Sequence, residues 1–433
     1  MLELDEVRDF EAARDSAFFS ALPDRPGVIL VEMADPAAEP YLARTADIRR
    51  AAERLLLSPE TPSKRLNLRG VAARLRYRAT GSKFEQMVTH YRQARACFPH
   101  RYRDLARVRP PAMLKVNLRN GYPRCYVTRT IRGDEGFYFG PFASRKVAEA
   151  FSQEFLDLFK IRRCQIKIRR DPDFPGCIYS QMKMCLAPCF AGCTKEEYDA
   201  EVGRVLKGLE SGGVQLIQDV EREREAASQS LDFERAAALH KRLEKVSGVL
   251  RGLPELIFRV EQIDAVILQR AAEEKTVVAF PIRSGLLNEP VFLRFGELSS
   301  EPTSVEAILR AGLNPADDEP LQTEKNARAV SGEGEKASDS LEEQKSRFGL
   351  HAAPPELTEH LSLLARWFYS NPREGEIFFR GADWPYRRIL RACGRLLAPA
   401  QGAEAPGGSS SRSSRDRIRR LNAFSRLHRP PKK

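Results

Sequence analysis

The 433-residue chain has no stretch near the ~18 consecutive apolar residues of a membrane span, which argues against a helical membrane protein. Its start, MLELDEVRDFEAARDSAFFSALPDRPGVIL, carries acids early and no unbroken apolar run. It therefore lacks the marks of a signal or transit peptide, and a cytoplasmic location with no membrane partner is expected. Acids are in short supply: 59 Asp and Glu face 71 Lys and Arg, a formal charge of +12. That excess points to a polyanionic partner, with nucleic acid the first choice. Cysteine is sparse except in one place. Four of the eight lie between residues 164 and 189. In a reducing compartment such a group reads as a metal site sooner than as a disulfide framework.

The length predicts several units, and the apolar share of 42% can bury real cores. The patterning predicts an α+β multidomain protein. Residues 1–20 read as an N-terminal helix. An α/β head follows over 21–105, with strands at PGVILVEM and VAARLRYRAT, a helix over YLARTADIRRAAERLL that Asp47 could cap, and a second helix opened by Ser82 with Glu85 three residues on. Residues 106–200 hold a β-hairpin rich in aromatic and basic residues, a helix and the cysteine segment. Residues 201–250 read as helices, the last two joined near Ser230 to Asp232. A small β-rich domain spans 251–313. Residues 314–347 are polar and acidic and read as a disordered linker. Residues 348–400 return to helical periodicity. The tail, 401–433, is Gly/Ser-rich and then basic, with nine Arg or Lys against two acids. It reads as disordered and able to touch phosphates.

The cysteine spacing is C-x12-C-x7-C-x3-C, through Cys164, Cys177, Cys185 and Cys189. Four thiolates complete a tetrahedral zinc site or hold an iron–sulfur cluster. The paired short knuckles of structural zinc are missing, since only Cys185 and Cys189 are close in sequence. The wide first spacing leans toward iron–sulfur, and zinc stays open as the alternative. Cys193 reads as incidental.

The segments RRCQ, GCIY and CLAPCFAG, preceded by YVTR and YFGPFAS, resemble the UvrC family of ABC excinuclease proteins, which act in nucleotide-excision repair. LDFERAAALHKRLEKV is similar to that family's UVR motif, weaker similarity runs through the strand region and LLARWFYS, and in total the resemblance covers roughly residues 24–312 and 357–398. The resemblance implies a GIY-YIG-type nuclease head. It further implies a [4Fe–4S] cluster on the four cysteines. It also implies a helical hairpin that docks on UvrB, the helicase-like damage verifier of the same excinuclease. Phe233, Ala236, Ala237 and Leu239 would be the contact set.

The head departs from the family pattern. A GIY-YIG site uses a tyrosine to help activate water, an arginine to stabilise phosphate charge, and a glutamate to hold one divalent cation. Here Ile29 stands for the first tyrosine and Ala43 for the glycine of the second motif, with Arg44 in place of the lysine that follows. Tyr41 and Arg49 are kept. Anchoring on Ser82 and Pro99 puts His90 where the glutamate belongs, and imidazole suits zinc or nickel better than magnesium. Glu85 lies on another helical face. The incision site is thus expected to be inactive, with magnesium required only if it is not. The C-terminal RNase H-type nuclease of full-length members is also expected to be absent.

These observations predict a UvrC-like protein that binds DNA and UvrB without cutting. The alternatives are an active single-incision endonuclease and a metal-stabilised nucleic-acid binder outside repair. Lys115, Arg119, Arg124 and Arg129, interleaved with Tyr122 and Tyr126, are the expected backbone contacts to DNA.

Overall fold

A computed structural model describes residues 3–11, 15–58, 65–133, 136–296, 304–314 and 353–398. The head comprises β1 (Glu6–Asp9), α1 (Asp15–Ser20), β2 (Gly27–Met33), β3 (Tyr41–Thr45), α2 (Ile48–Leu56), β4 (Ala72–Ala79), α3 (Lys83–Cys97) and α4 (Tyr102–Leu105). Its sheet is antiparallel in the order β1-β4-β2-β3. β2 is apolar on both faces because both are covered. Ile29 and Val31 join Phe18, Leu22, Ile48 and Leu55 on the side of α1 and α2. Val28 and Leu30 meet Leu4 and Cys97 on the other.

The caps are those the sequence suggests. Asp47 Oδ1 accepts from Arg50 N at 2.9 Å, and Ser82 Oγ from Glu85 N at 3.1 Å. The first residues differ from the expected helix over 1–20: Glu6–Asp9 is an exposed strand, and among the described residues of this stretch only Asp15–Ser20 is helical. The acids of this stretch answer the arginines of β4. Arg74 pairs with Asp9 at 2.9 Å and Arg78 with Asp5 at 3.1 Å, so cross-strand charge favours pairing there.

β5 (Ala112–Asn117), β6 (Arg124–Thr128) and β7 (Gly136–Phe142) form a meander, extending the expected hairpin by a strand. α5 (Arg145–Leu156) packs on it through Phe151 and Phe155, against Phe139 and Phe142. The cysteine segment has little regular structure beyond α6 (Ile178–Gln181) and a short 3-10 turn. Then come α7 (Lys195–Glu210), opened by a Thr194/Glu197 capping box, α8 (Val214–Gln229) and α9 (Phe233–Arg251).

β8 (Phe258–Arg259) joins the meander, giving the order β6-β5-β7-β8. β9 (Ala265–Arg270), β10 (Thr276–Arg283), β11 (Leu286–Leu287), β12 (Val291–Arg294) and α10 (Val305–Leu313) follow. The chain resumes with α11 (Pro354–Phe368), β13 (Glu376–Phe379) and α12 (Tyr386–Leu397). β13 lies in a stretch expected to be helical. Its EIFF run pairs with β9 in register Phe378 to Val266, so residues on both sides of 315–352 share one sheet. The expected linker, apart from Asn314, and the expected basic tail lie outside the described residues.

α10 and α12 cover one face of this sheet through Leu309, Ile389 and Cys393. On the other face Phe280 meets Leu361 and Trp367 of α11 together with Phe84 and Met87 of the head. Head and sheet therefore share a core. Among the described residues no helix is long and apolar enough to cross a membrane.

Candidate nuclease-like corner, cysteine segment and hairpin

The register of the head separates the residues expected to act together. Ile29 lies opposite Ala43, and Val31 opposite Tyr41, so these four share the α2 face. Arg44 lies opposite Val28 and so belongs to the other face, on which α3 packs. His90, on α3, lines a cavity of about 800 Å³ with Arg44, Arg107, Arg366 and Trp367. Ile29 is fully buried in the head core and does not reach this cavity. Arg49 is half-buried and clamps the chain, its Nε donating to the Leu22 carbonyl at 2.8 Å.

His90 is only 6% exposed. Burial, reinforced by the nearby charges of Arg44 and Arg366, pushes its pKa down to about 4, so it is neutral at physiological pH. Glu85 is buried elsewhere on α3, accepting from Gly81 N at 2.9 Å and pairing with Arg78 at 3.6 Å. The carboxylate lining the cavity is Glu374, and Lys83 engages it through both its backbone N–H, at 3.0 Å, and its ammonium, at 3.3 Å. A corner of guanidiniums around a neutral imidazole repels a divalent cation. Sequence reasoning reached His90 and noted Arg44. It missed Arg107 and Arg366, which only the return of α11 to the head brings to the same place.

The cysteine segment folds as loops held by left-handed turns at Gly176, Lys183, Ala187 and Ala191. Cys164, Cys177 and Cys185 are half-buried, Cys189 is buried, and all are free thiols. Burial pushes the Cys185 thiol up to about 11; the Ala187 N–H, 3.3 Å from its Sγ, works the other way, and the other three thiols add to the rise. Burial likewise raises Cys189, with Cys177 and Cys164 adding to it. The four sulfurs thus converge within electrostatic reach. Among the described residues, no three Cys, His, Asp or Glu side chains close into a group that could hold one metal ion. Cys193 packs in the core beside Tyr198 and Val202.

α8 and α9 pair through Val220, Ala227 and Leu239, with Ala236 and Leu243 partly buried beside them. The expected contact set is therefore split. Leu239 is 8% exposed and serves the hairpin itself, whereas Phe233, at 68%, stands out at the tip next to Leu231, at 70%. Ala237 is exposed. The basic set splits as well. Arg119 and Arg129 are exposed, and Arg124 is half-buried, its guanidinium 4.5 Å from the Tyr126 ring centroid. Lys115 is 3% exposed, its ammonium 5.0 Å from the Tyr138 ring centroid. As a surface DNA contact Lys115 is corrected: β5 is flanked by β6 and β7 and turns that side chain inward.

Residues 112–208 match the family model described as UvrC/Cho excinuclease, middle domain, and residues 215–248 match the UvrB/uvrC motif. A UvrABC system protein C from Dehalococcoides mccartyi is 27% identical over 292 residues, 66% of this chain and 47% of that relative. The protein of that name from Oleidesulfovibrio alaskensis is 29% identical over 287 residues, covering 65% of this chain and 40% of the relative. That from Nitratidesulfovibrio vulgaris is 30% identical over 186 residues, 43% of this chain and 25% of the relative. The chain spans about half the length, or less, of these relatives. No solved structure matches it.

The matched segments define a protein built around an excinuclease middle domain and a UvrB/UvrC hairpin. Over these segments the chain is similar to proteins of the UvrC family.

Proposed function

We infer that this chain acts in nucleotide-excision repair by binding DNA and UvrB, and that its GIY-YIG-like head does not incise. The observation that carries this reading is His90. Where the family's metal-holding carboxylate is expected, a neutral imidazole faces Arg44 and Arg366. Ile29 offers no hydroxyl, and it lies on the opposite face of the sheet from that cavity. The exposed pair Leu231 and Phe233 at the hairpin tip supports docking of a partner helix pair. The exposed Arg119 and Arg129 and the Arg124–Tyr126 stack support contact with a phosphate backbone.

Cys164, Cys177, Cys185 and Cys189 would hold a [4Fe–4S] cluster. Such a cluster supplies four strong metal–thiolate bonds, which would fix a loop-rich segment that has little regular structure of its own. The chain's own part is to place the thiols, to bury Cys185 and Cys189, and to aim the Ala187 N–H at the Cys185 sulfur.

The test is an incision assay on end-labelled damaged duplex with UvrB and magnesium, with UvrB capture run on the same preparation. The expected result is capture without cutting. Cutting that Arg49→Ala abolishes would show a working nuclease. Loss of both capture and DNA binding would place the protein outside repair.

A further inference from the structure

The cavity beside His90 has the chemistry of an anion site. Arg44 from β3, Arg107 after α4 and Arg366 from α11 converge on it from three parts of the chain. Among the described residues none of the three forms an ion pair with a carboxylate, and the Arg44 guanidinium has no hydrogen-bond acceptor. Arg366 gives one bond, from Nη1 to the Ala106 carbonyl at 3.2 Å. Arg107 sits at φ +53, a left-handed conformation that a non-glycine residue adopts at a cost. Burial, with the charges of Arg366 and Arg107, pushes Arg44 below its ordinary pKa, the mark of a cation lacking its counterion. Glu374 is tied to Lys83 and does not neutralise the group.

We propose that this cavity, built on Arg44, Arg107, Arg366 and His90, binds the phosphate of a phosphate monoester such as a nucleoside 5′-monophosphate. Guanidiniums bind phosphate oxygens in pairs of parallel hydrogen bonds, and three of them suit a doubly charged group. A monoester carries about −1.5 to −2 at neutral pH, whereas a backbone diester carries a single charge. The volume of about 800 Å³ lies in the range of small-molecule sites, and Phe84 and Trp367 give it an apolar wall for the organic part of the ligand. The proposal rests on the reading that this corner holds no catalytic metal.

The experiment is calorimetric titration of the full chain with deoxyadenosine 5′-monophosphate, inorganic phosphate and the diester dinucleotide d(ApA). One site for the monophosphate is expected, with the diester at least about tenfold weaker. Arg44→Gln with Arg366→Gln should weaken the monophosphate about tenfold or more. His90→Glu, which places a carboxylate among the guanidiniums, should do the same while the melting temperature holds or rises. That separates loss of the site from loss of the fold. Inorganic phosphate binding as well as the nucleotide would support a site for the phosphate group itself. A preference for a 5′-phosphorylated oligonucleotide over its 5′-hydroxyl form would assign the source as a DNA end, and equal binding of the two would leave the free nucleotide. No monophosphate binding up to roughly 10 mM, or binding unchanged in both variants, overturns the proposal. Magnesium binding that His90→Ala abolishes would sink the non-incising reading instead.

Discussion

Tyr91 donates its hydroxyl to Glu359 Oε2 at 2.6 Å, joining α3 of the head to α11. Tyr102 and Arg103 add bonds to the other oxygen at 2.7 and 2.8 Å, so one buried carboxylate takes three donors from the head. Burial opposes the charge, but these donors win and hold the Glu359 carboxyl below its usual range. Glu359→Ala would leave both tyrosines short of an acceptor. It is expected to cost about 3 kcal/mol by urea denaturation. A depressed carboxylate stabilises the fold above its unfolded pKa, near 4.3, and that contribution is lost as pH falls through the folded value. Below about pH 4 the gap between wild type and variant should therefore narrow.

Two histidines set a second, higher window. Burial first, then neighbouring arginines, hold His90 at about 4. His360 also sits at about 4 through burial, and its Nδ1 accepts from Leu287 N at 3.1 Å. Both are neutral in the fold, so below about 6.5 the unfolded chain takes up protons that the folded chain refuses. Stability should be flat above that pH and fall by ~2 kcal/mol or more on acidification to about pH 4.5. His90→Gln should flatten part of the decline in a series of melts across pH. A decline of equal size in the variant would remove His90 from the account.

The hairpin residues should part company. Leu239→Ala opens the seam between α8 and α9 and is expected to cost about 2 kcal/mol. Phe233→Ala should change stability by less than ~0.5 kcal/mol while lowering capture by immobilised UvrB about tenfold or more. Unchanged capture would move the docking surface away from the tip.

On the meander, Arg119→Ala, Arg124→Ala and Arg129→Ala together should weaken DNA binding at every sequence tested. They should reduce the slope of log affinity against log salt by roughly 2–3. Lys115→Ala should act through stability instead, since its buried ammonium lies over the Tyr138 ring.

Metal analysis of anaerobically purified protein should give about four iron and four acid-labile sulfides per chain. Cys185→Ser should lose most of both. Stoichiometric zinc without iron would replace the cluster with a single-ion site.

Much of this was legible in the sequence where local signals act. Ser82 and Asp47 announce their helices through short side-chain bonds to the backbone. The break between α8 and α9 shows in Ser230 to Asp232, and Asp232 Oδ1 accepts from Arg235 N at 3.1 Å. What the sequence withheld depends on distance along the chain. Nothing near Arg366 says that it will face His90. EIFF is too short to tell strand from helix until β9 offers it an edge. Lys115 looks like its basic neighbours until β7 covers it. Asp5 and Asp9 favoured a strand because of arginines some seventy residues away.

The shared core of Phe84, Phe280 and Trp367 bears on why the head persists. If incision has been given up, catalysis no longer protects its residues from drift. Phe84 lies 5.0 Å from Phe280 and 5.5 Å from Trp367, ring centre to ring centre. Deleting the head would strip one wall from the C-terminal sheet and expose those rings to water. Selection to keep the remainder of the molecule folded would then maintain the head as masonry.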